Sequence, residues 1–271
     1  MKKKNKIIIH IIYNMVTLSN GSTSGAMSGT STGVFAVLTC FYIILKQKFG
    51  FVYKDPNSAK TRNILLGIYF LAAFFIQYYF NAQATKLICK QTQTAAALMM
   101  TAVPNILMFG LIIVIFNFFP GWKTPFSNTF GYAAAWLGGV RKVFLKMMET
   151  VKGGNKLNQE VYDDPSLMIN QITPKNFQTF MGEMTKNKII GAGAEKYFSK
   201  LYKLVTLKDS ISELIWYLMV GCLVVSVSYN ALLDIPCNKN TDVMMAEHID
   251  WARQQNTASP PPTPKRYFTR E

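Results

Sequence analysis

Between Asn63 and Phe119 the chain carries charge only at Lys86 and Lys90, in a short turn that separates two long apolar runs. Asn63 to Thr85 contains no charged side chain, and neither does Gln91 to Phe119. At a helical rise of about 1.5 Å per residue, each run exceeds the roughly 20 residues needed to cross about 30 Å of hydrocarbon. Only a helix or a closed barrel satisfies its own backbone there. The chain therefore reads as an all-α, multi-pass integral membrane protein. About four transmembrane helices are expected, with interfacial amphipathic helices and a small helical loop domain.

Charge is segregated along the chain. Of 271 residues half are hydrophobic and 16% are charged, yet the net charge is +15, with 24 Lys against 5 Arg. A soluble domain would interleave its charges with apolar residues, whereas here they retreat into loops. With spans present, the basic excess reads as attraction of loops to anionic lipid, and no nucleic-acid partner is expected. Cys40, Cys89, Cys222 and Cys237 lack CxxC spacing, and His10 and His248 are the only histidines. Neither a zinc site nor a disulfide framework is expected from this pattern, nor any other metal or cofactor.

Taken in order, Lys2, Lys3, Lys4 and Lys6 precede a short apolar run, Ile7 to Leu18, which has the layout of a signal peptide but no clean small-x-small cleavage site after it. It reads as an interfacial segment. Gly21, Gly25, Gly29 and Gly33 then recur every fourth residue. On a helix these share one face, and such a strip lets a neighbouring backbone approach closely in lipid. A Gly/Ser linker is the alternative. The lack of charge up to Leu45 favours a first span over 25–45.

A basic loop leads into the second and third spans, 64–85 and 95–119. Gln77, Asn81 and Thr85 form a polar stripe at i, i+4 and i+8, and Ala97, Thr101 and Asn105 repeat it beside Pro104. The short turn forces an antiparallel hairpin, so the stripes are expected to pair across it rather than face lipid. Lining a pore is the functional alternative. Against it, none of the uncharged runs read here as spans, the last being Leu214 to Leu233, contains an ionisable group of the kind transport paths use.

The segment 120–151 is aromatic and then amphipathic. Trp122, Phe126, Phe130 and Tyr132 suggest a belt at the bilayer surface. Beyond them Trp136, Val140, Val143, Phe144, Met147 and Val151 fall opposite Arg141, Lys142, Leu145, Lys146 and Glu149. That stripe fits an in-plane interfacial helix or the buried face of a soluble domain. Residues 152–210 read as a helical, water-facing loop. Asp164-Pro165 and Thr173-Pro174 place caps before helices over Pro165–Gln171 and Pro174–Thr185. Asp163 and Asp164 lack a third carboxylate and read as structural rather than catalytic. Gly191-Ala192-Gly193 reads as a hinge.

A basic amphipathic helix from Ala194 leads to Ser210 and Glu213, which read as a capping box opening a fourth span over 211–233. The tail, 234–271, is polar and Pro-rich, with one short helix around Asp242 to Gln254.

The stretches PGWKTPFSNTFGYAAAWLGG and VYDDPSLMINQITPKNF resemble uncharacterised multi-pass membrane proteins of nucleocytoplasmic large DNA viruses, of the phycodnavirus and mimivirus type. The resemblance implies a structural protein of the lipid membrane inside the capsid, with a host endomembrane as the alternative location. It implies capsid or other virion membrane proteins as partners and carries no catalytic residue. An oligomeric, viroporin-like pore built on the glycine strip and polar stripes is the alternative. A membrane enzyme ranks below both, because no nucleophile, base and orienter share a recognisable spacing. Lysines near the span ends place the long loop in the cytosol at synthesis and both termini opposite.

Overall fold

The computed structural model describes residues 24–149, 156–238 and 241–257. The basic N-terminus, the Ile7–Leu18 run, Gly21, Val151 and the Pro-rich end of the tail lie outside them. The described chain is all α, with no strand. Four of its helical stretches are long and apolar enough to cross a membrane: Ser28–Phe49, Ser58–Cys89, Thr94–Phe118 and Ala194–Leu233.

The first span lies in α1, Ser24–Phe49, and the second is α2, Ser58–Cys89, which ends where Lys90 turns left-handed at φ 57°. The third is built in three pieces. Helix α3, Thr94–Pro104, passes into a π turn over Asn105–Phe109 and continues as α4, Gly110–Phe118. Pro104 supplies no N–H to the helical ladder, and a wider turn directly after it is a common way for a helix to absorb that loss. Asn105 helps by donating from Nδ2 to the Thr101 carbonyl at 2.8 Å.

Unlike a water-soluble protein, the bundle presents large apolar side chains on its outer faces and buries a polar stripe. Gln77, Asn81, Thr85, Thr101 and Asn105 are buried, while Ile64, Ile68, Leu71, Phe75, Leu107, Leu111 and Val114 face outward. Its core is aromatic. Tyr42 stacks on Tyr69 with centroids 4.4 Å apart, and Phe35, Phe109 and Tyr217 close around them.

After α4 the chain makes a 3-10 turn at Pro120–Lys123, a short α5 at Thr124–Phe126, a π turn at Ser127–Gly131 and α6 at Tyr132–Leu137. Gly139 is left-handed, φ 88°, which only glycine adopts cheaply, and the chain re-enters helix as α7, Val140–Met148. Helices α8, Lys156–Asp163, α9, Ser166–Ile169, and α10, Phe177–Lys186, complete a small helical domain.

This domain is larger than the sequence suggests. Val140, Val143, Phe144, Met147 and Met148 are buried together with Ile169, Phe177, Met181, Leu201 and Val205. The amphipathic stripe is therefore a wall of the domain core, not the apolar face of an in-plane membrane helix. Each such large side chain, fully buried, is worth about 1.5–3 kcal/mol, which favours packing among themselves once α8–α10 fold over them.

The turns leading into α9 and α10 are held locally. Asp164 Oδ1 accepts from the Ser166 backbone N–H at 3.0 Å, and the hydrogen bonds from Ser166 hold its carboxyl below the ordinary range. Thr173 and Asn176 exchange bonds reciprocally, 2.7 and 3.2 Å. Helix α10 consequently starts at Phe177, later than Pro174.

The largest departure concerns the last span. Helix α11 runs unbroken from Phe198 to Leu233, 36 residues, about 54 Å at 1.5 Å per residue. Ser210 and Glu213 sit in its interior and cap nothing. A final helix, α12, Thr241–Thr257, follows in the tail.

Candidate functional site

Helix α11 is the post on which both halves of the protein are built, and Glu213 is its anchor point. Lys46, at the end of α1, pairs with Glu213 Oε2, and both side chains are only 8% exposed. Lys123 bonds Glu213 Oε1 at 3.1 Å and Asp209 Oδ2 at 2.8 Å. One carboxylate thus draws together the end of the first span, the turn after the third and the middle of α11. Burial alone would push the Lys123 ammonium down, but Glu213 and Asp209 outweigh it and hold it above the ordinary lysine range. It stays charged at neutral pH, as a buried pair requires.

Neutral bonds extend the same junction. Gln47 donates to the Lys203 carbonyl at 3.0 Å and to Thr206 Oγ1 at 2.9 Å, and it accepts from Ser210 Oγ at 3.1 Å. Ser212 Oγ donates to the Lys123 carbonyl at 2.6 Å. Lys208, almost fully buried, reaches Asn128 Oδ1 at 3.1 Å and the Asn170 carbonyl at 3.2 Å. Gly131 lies so close to the Lys208 backbone that a Cβ there would overlap the Lys208 carbonyl. Glu213 and Asp209 belong to the same continuous helix as the fourth span.

The polar stripes of the second and third spans meet. Asn81 Nδ2 donates to Thr101 Oγ1 at 2.8 Å, and Asn105 Nδ2 donates to Gln77 Oε1 at 2.6 Å. Thr85 Oγ1 accepts from the Gln93 backbone at 3.0 Å. The crevice beside Asn105 and Phe109 has no room for water.

The glycine strip is placed otherwise. Gly29 is exposed, with nothing within 4 Å of where a Cβ would stand, and Gly33 is half-buried. Gly25 belongs to the same helix. The face of α1 that meets the bundle is Ser31, Phe35, Thr39 and Tyr42. Close approach occurs instead at Gly221 of α11, where any Cβ would overlap the Phe35 ring. A single glycine in an apolar span gives no sequence signal of its own.

The aromatic residues after α4 surround a residue that the sequence pattern does not mark. Trp216 Nε1 donates to the Trp122 carbonyl at 3.1 Å, and its ring lies 5.2 Å from Phe126 and 6.0 Å from Trp122. Trp122, Phe130 and Trp136 are exposed, and Phe126 and Tyr132 are half-buried. Arg141, Lys142 and Lys146 point away from the domain core, with Arg141 near the Asp163 carbonyl at 3.4 Å.

At the opposite end of the bundle Cys89 and Cys237 form a disulfide across 148 residues, contrary to the expectation of unpaired thiols. Beside it Lys90 pairs with Glu247 at 3.5 Å and Gln93 donates to the Asn238 carbonyl at 2.6 Å. Cys40 and Cys222 are free and lie on the outer faces of their helices. Among the described residues no group of His, Cys, Asp and Glu is placed to hold a metal ion.

Comparison with protein-family models, with curated proteins and with solved structures finds no match.

Proposed function

We propose that the protein is a structural membrane anchor that holds a compact helical domain at the bilayer surface for docking to other proteins. The observation that supports this best is α11, one helix shared by both cores, with Leu201 and Val205 in the domain and Tyr217 and Val224 in the bundle. A continuous helix pinned by Glu213 transmits position from lipid to domain without a flexible linker. Such coupling suits a mechanical tie. The resemblance of its aromatic and Asp-Pro segments to large DNA virus membrane proteins supports a position in the virion inner membrane, with capsid or neighbouring virion membrane proteins as partners. The helical domain would then face the shell. Mass spectrometry of purified particles of the encoding virus tests this. Near-stoichiometric abundance is expected, and trace amounts would overturn it.

The outward position of Gly29 favours a second reading, self-association of copies through α1. A pore would have to run between copies, because aromatic side chains fill the interior of one. Ion leakage from liposomes containing the purified protein tests that reading, and tight vesicles dispose of it.

A further inference from the structure

A cavity of about 770 Å³ opens where the bundle meets the helical domain. Its floor is set at the level of the span ends, by Lys46 of α1, Arg62 in the first turns of α2 and Phe116 of α4. Residues 173–176, before α10, form the opposite wall. Four cations and two carboxylates line it, namely Lys46, Arg62, Lys123 and Lys175 against Asp209 and Glu213. Lys46 and Lys123 are matched by the two carboxylates. Arg62 and Lys175 have no carboxylate in ion-pair range among the described residues.

Arg62 is held in place without being neutralised. Its Nη1 donates to the Gly50 carbonyl at 3.0 Å and its guanidinium sits 5.1 Å from the Phe51 ring centre. A Cβ on Gly50 would stand 2.7 Å from Arg62 Cγ, so glycine there makes room for the arginine stem. Most of the five N–H donors of the guanidinium have no protein acceptor among the described residues. A positioned guanidinium of this kind suits a planar or tetrahedral oxyanion. The apolar wall, Phe51, Phe116 and Pro120, suits glycerol and the first methylenes of a chain. The volume falls in the range of small-molecule sites, about 300–1,000 Å³.

We propose that this cavity binds the phosphate-bearing headgroup of one anionic phospholipid, with Arg62 and Lys175 on the phosphate and Phe51 and Phe116 along its glycerol end. The proposal needs the membrane-spanning fold but not the virion assignment. Its chemistry is shared with soluble phosphate, from which the apolar wall at the level of the span ends distinguishes it.

Native mass spectrometry of the full chain in nonionic detergent, with phosphatidylglycerol or phosphatidylcholine added, tests it. The wild-type protein should retain one phosphatidylglycerol in preference to phosphatidylcholine. Arg62→Gln with Lys175→Gln should weaken that retention roughly tenfold or more, as loss of two charged hydrogen-bond donors implies. Lys54→Gln with Lys60→Gln, two exposed lysines near the same span ends, should leave it unchanged. Lys175 is exposed, so Lys175→Gln alone reports on the site without disturbing the fold and should lower retention severalfold. Equal retention of the two lipids, or equal losses in the two double variants, overturns the proposal. So does displacement of the lipid by inorganic phosphate, which would assign the site to a free anion.

Discussion

The Phe35 ring occupies the space in which a side chain on Gly221 would stand. This one contact locks α1 to α11 in the middle of the bundle, where both residues are buried. Gly221→Ala should therefore force the ring or the helix to shift and destabilise the protein by about 1–3 kcal/mol, the usual cost of overpacking. Gly29→Leu has open space before it and should leave the stability of a single copy unchanged. Thermal unfolding in detergent compares the two. Cross-linking of Gly29→Leu and Gly29→Ala separately reports on association between copies, which only the bulkier residue should weaken if the outward strip is used.

Glu213 holds two lysines, and without it Lys46 would be buried with no ion-pair partner among the described residues. Glu213→Gln should cost about 3 kcal/mol or more, because an uncompensated buried charge is far worse than a missing pair. Lys46→Met added to Glu213→Gln should recover much of that loss, since Lys123 keeps Asp209 at 2.8 Å. Denaturation midpoints of the single and double variants decide the matter. A double variant less stable than Glu213→Gln would show that Lys46 contributes by packing rather than by charge.

The paired stripes in the hairpin should contribute modestly. For Asn81 and Thr101, 2.8 Å apart, a double-mutant cycle with Asn81→Ala and Thr101→Val should give a coupling near 0.6 kcal/mol and no more than about 1.7 kcal/mol. A coupling of zero would mean that Asn81 finds another partner when Thr101 is removed.

What is legible in the sequence is what local pattern encodes. Charge depletion marks the spans, i to i+4 spacing marks the Gln77–Asn81 and Thr101–Asn105 stripes, and Asp164-Pro165 and Thr173-Pro174 mark the turns that lead into α9 and α10. The anchor is not legible, because Ser210-x-x-Glu213 before an apolar run has the same local form whether it caps a helix or lies inside one. Only the partners distinguish these, and Lys46 and Lys123 lie 167 and 90 residues away. Glycine spacing likewise identifies a small-residue face without saying which side the neighbour occupies. So the spacing marks Gly29 and passes over Gly221. The amphipathic stripe of α7 is degenerate between lipid and protein, and its resolution depends on Ile169, Phe177 and Met181 arriving from later helices.

The disulfide fixes a test of orientation. Cys89 ends α2 and Cys237 lies just past the end of α11, so both belong to the end of the bundle away from the helical domain. The domain end carries Lys46, Lys48, Lys54, Lys60 and Arg62 in the first loop, together with Lys123, Lys196, Lys200, Lys203 and Lys208. Among the described residues the other end carries Lys86, Lys90 and Arg253 near its spans. The positive-inside bias predicts the domain in the cytosol and the cysteine pair in the lumen, the side on which a disulfide forms and persists. In sealed microsomes a membrane-impermeant maleimide should label Cys89 and Cys237 only after both permeabilisation and reduction. A Cys40→Ala, Cys222→Ala background removes the two free thiols from the readout. Labelling after permeabilisation without reductant would mean that the pair is not formed. Labelling of intact vesicles treated with an impermeant reductant would reverse the topology, placing the helical domain in the lumen and the tail helix α12 in the cytosol.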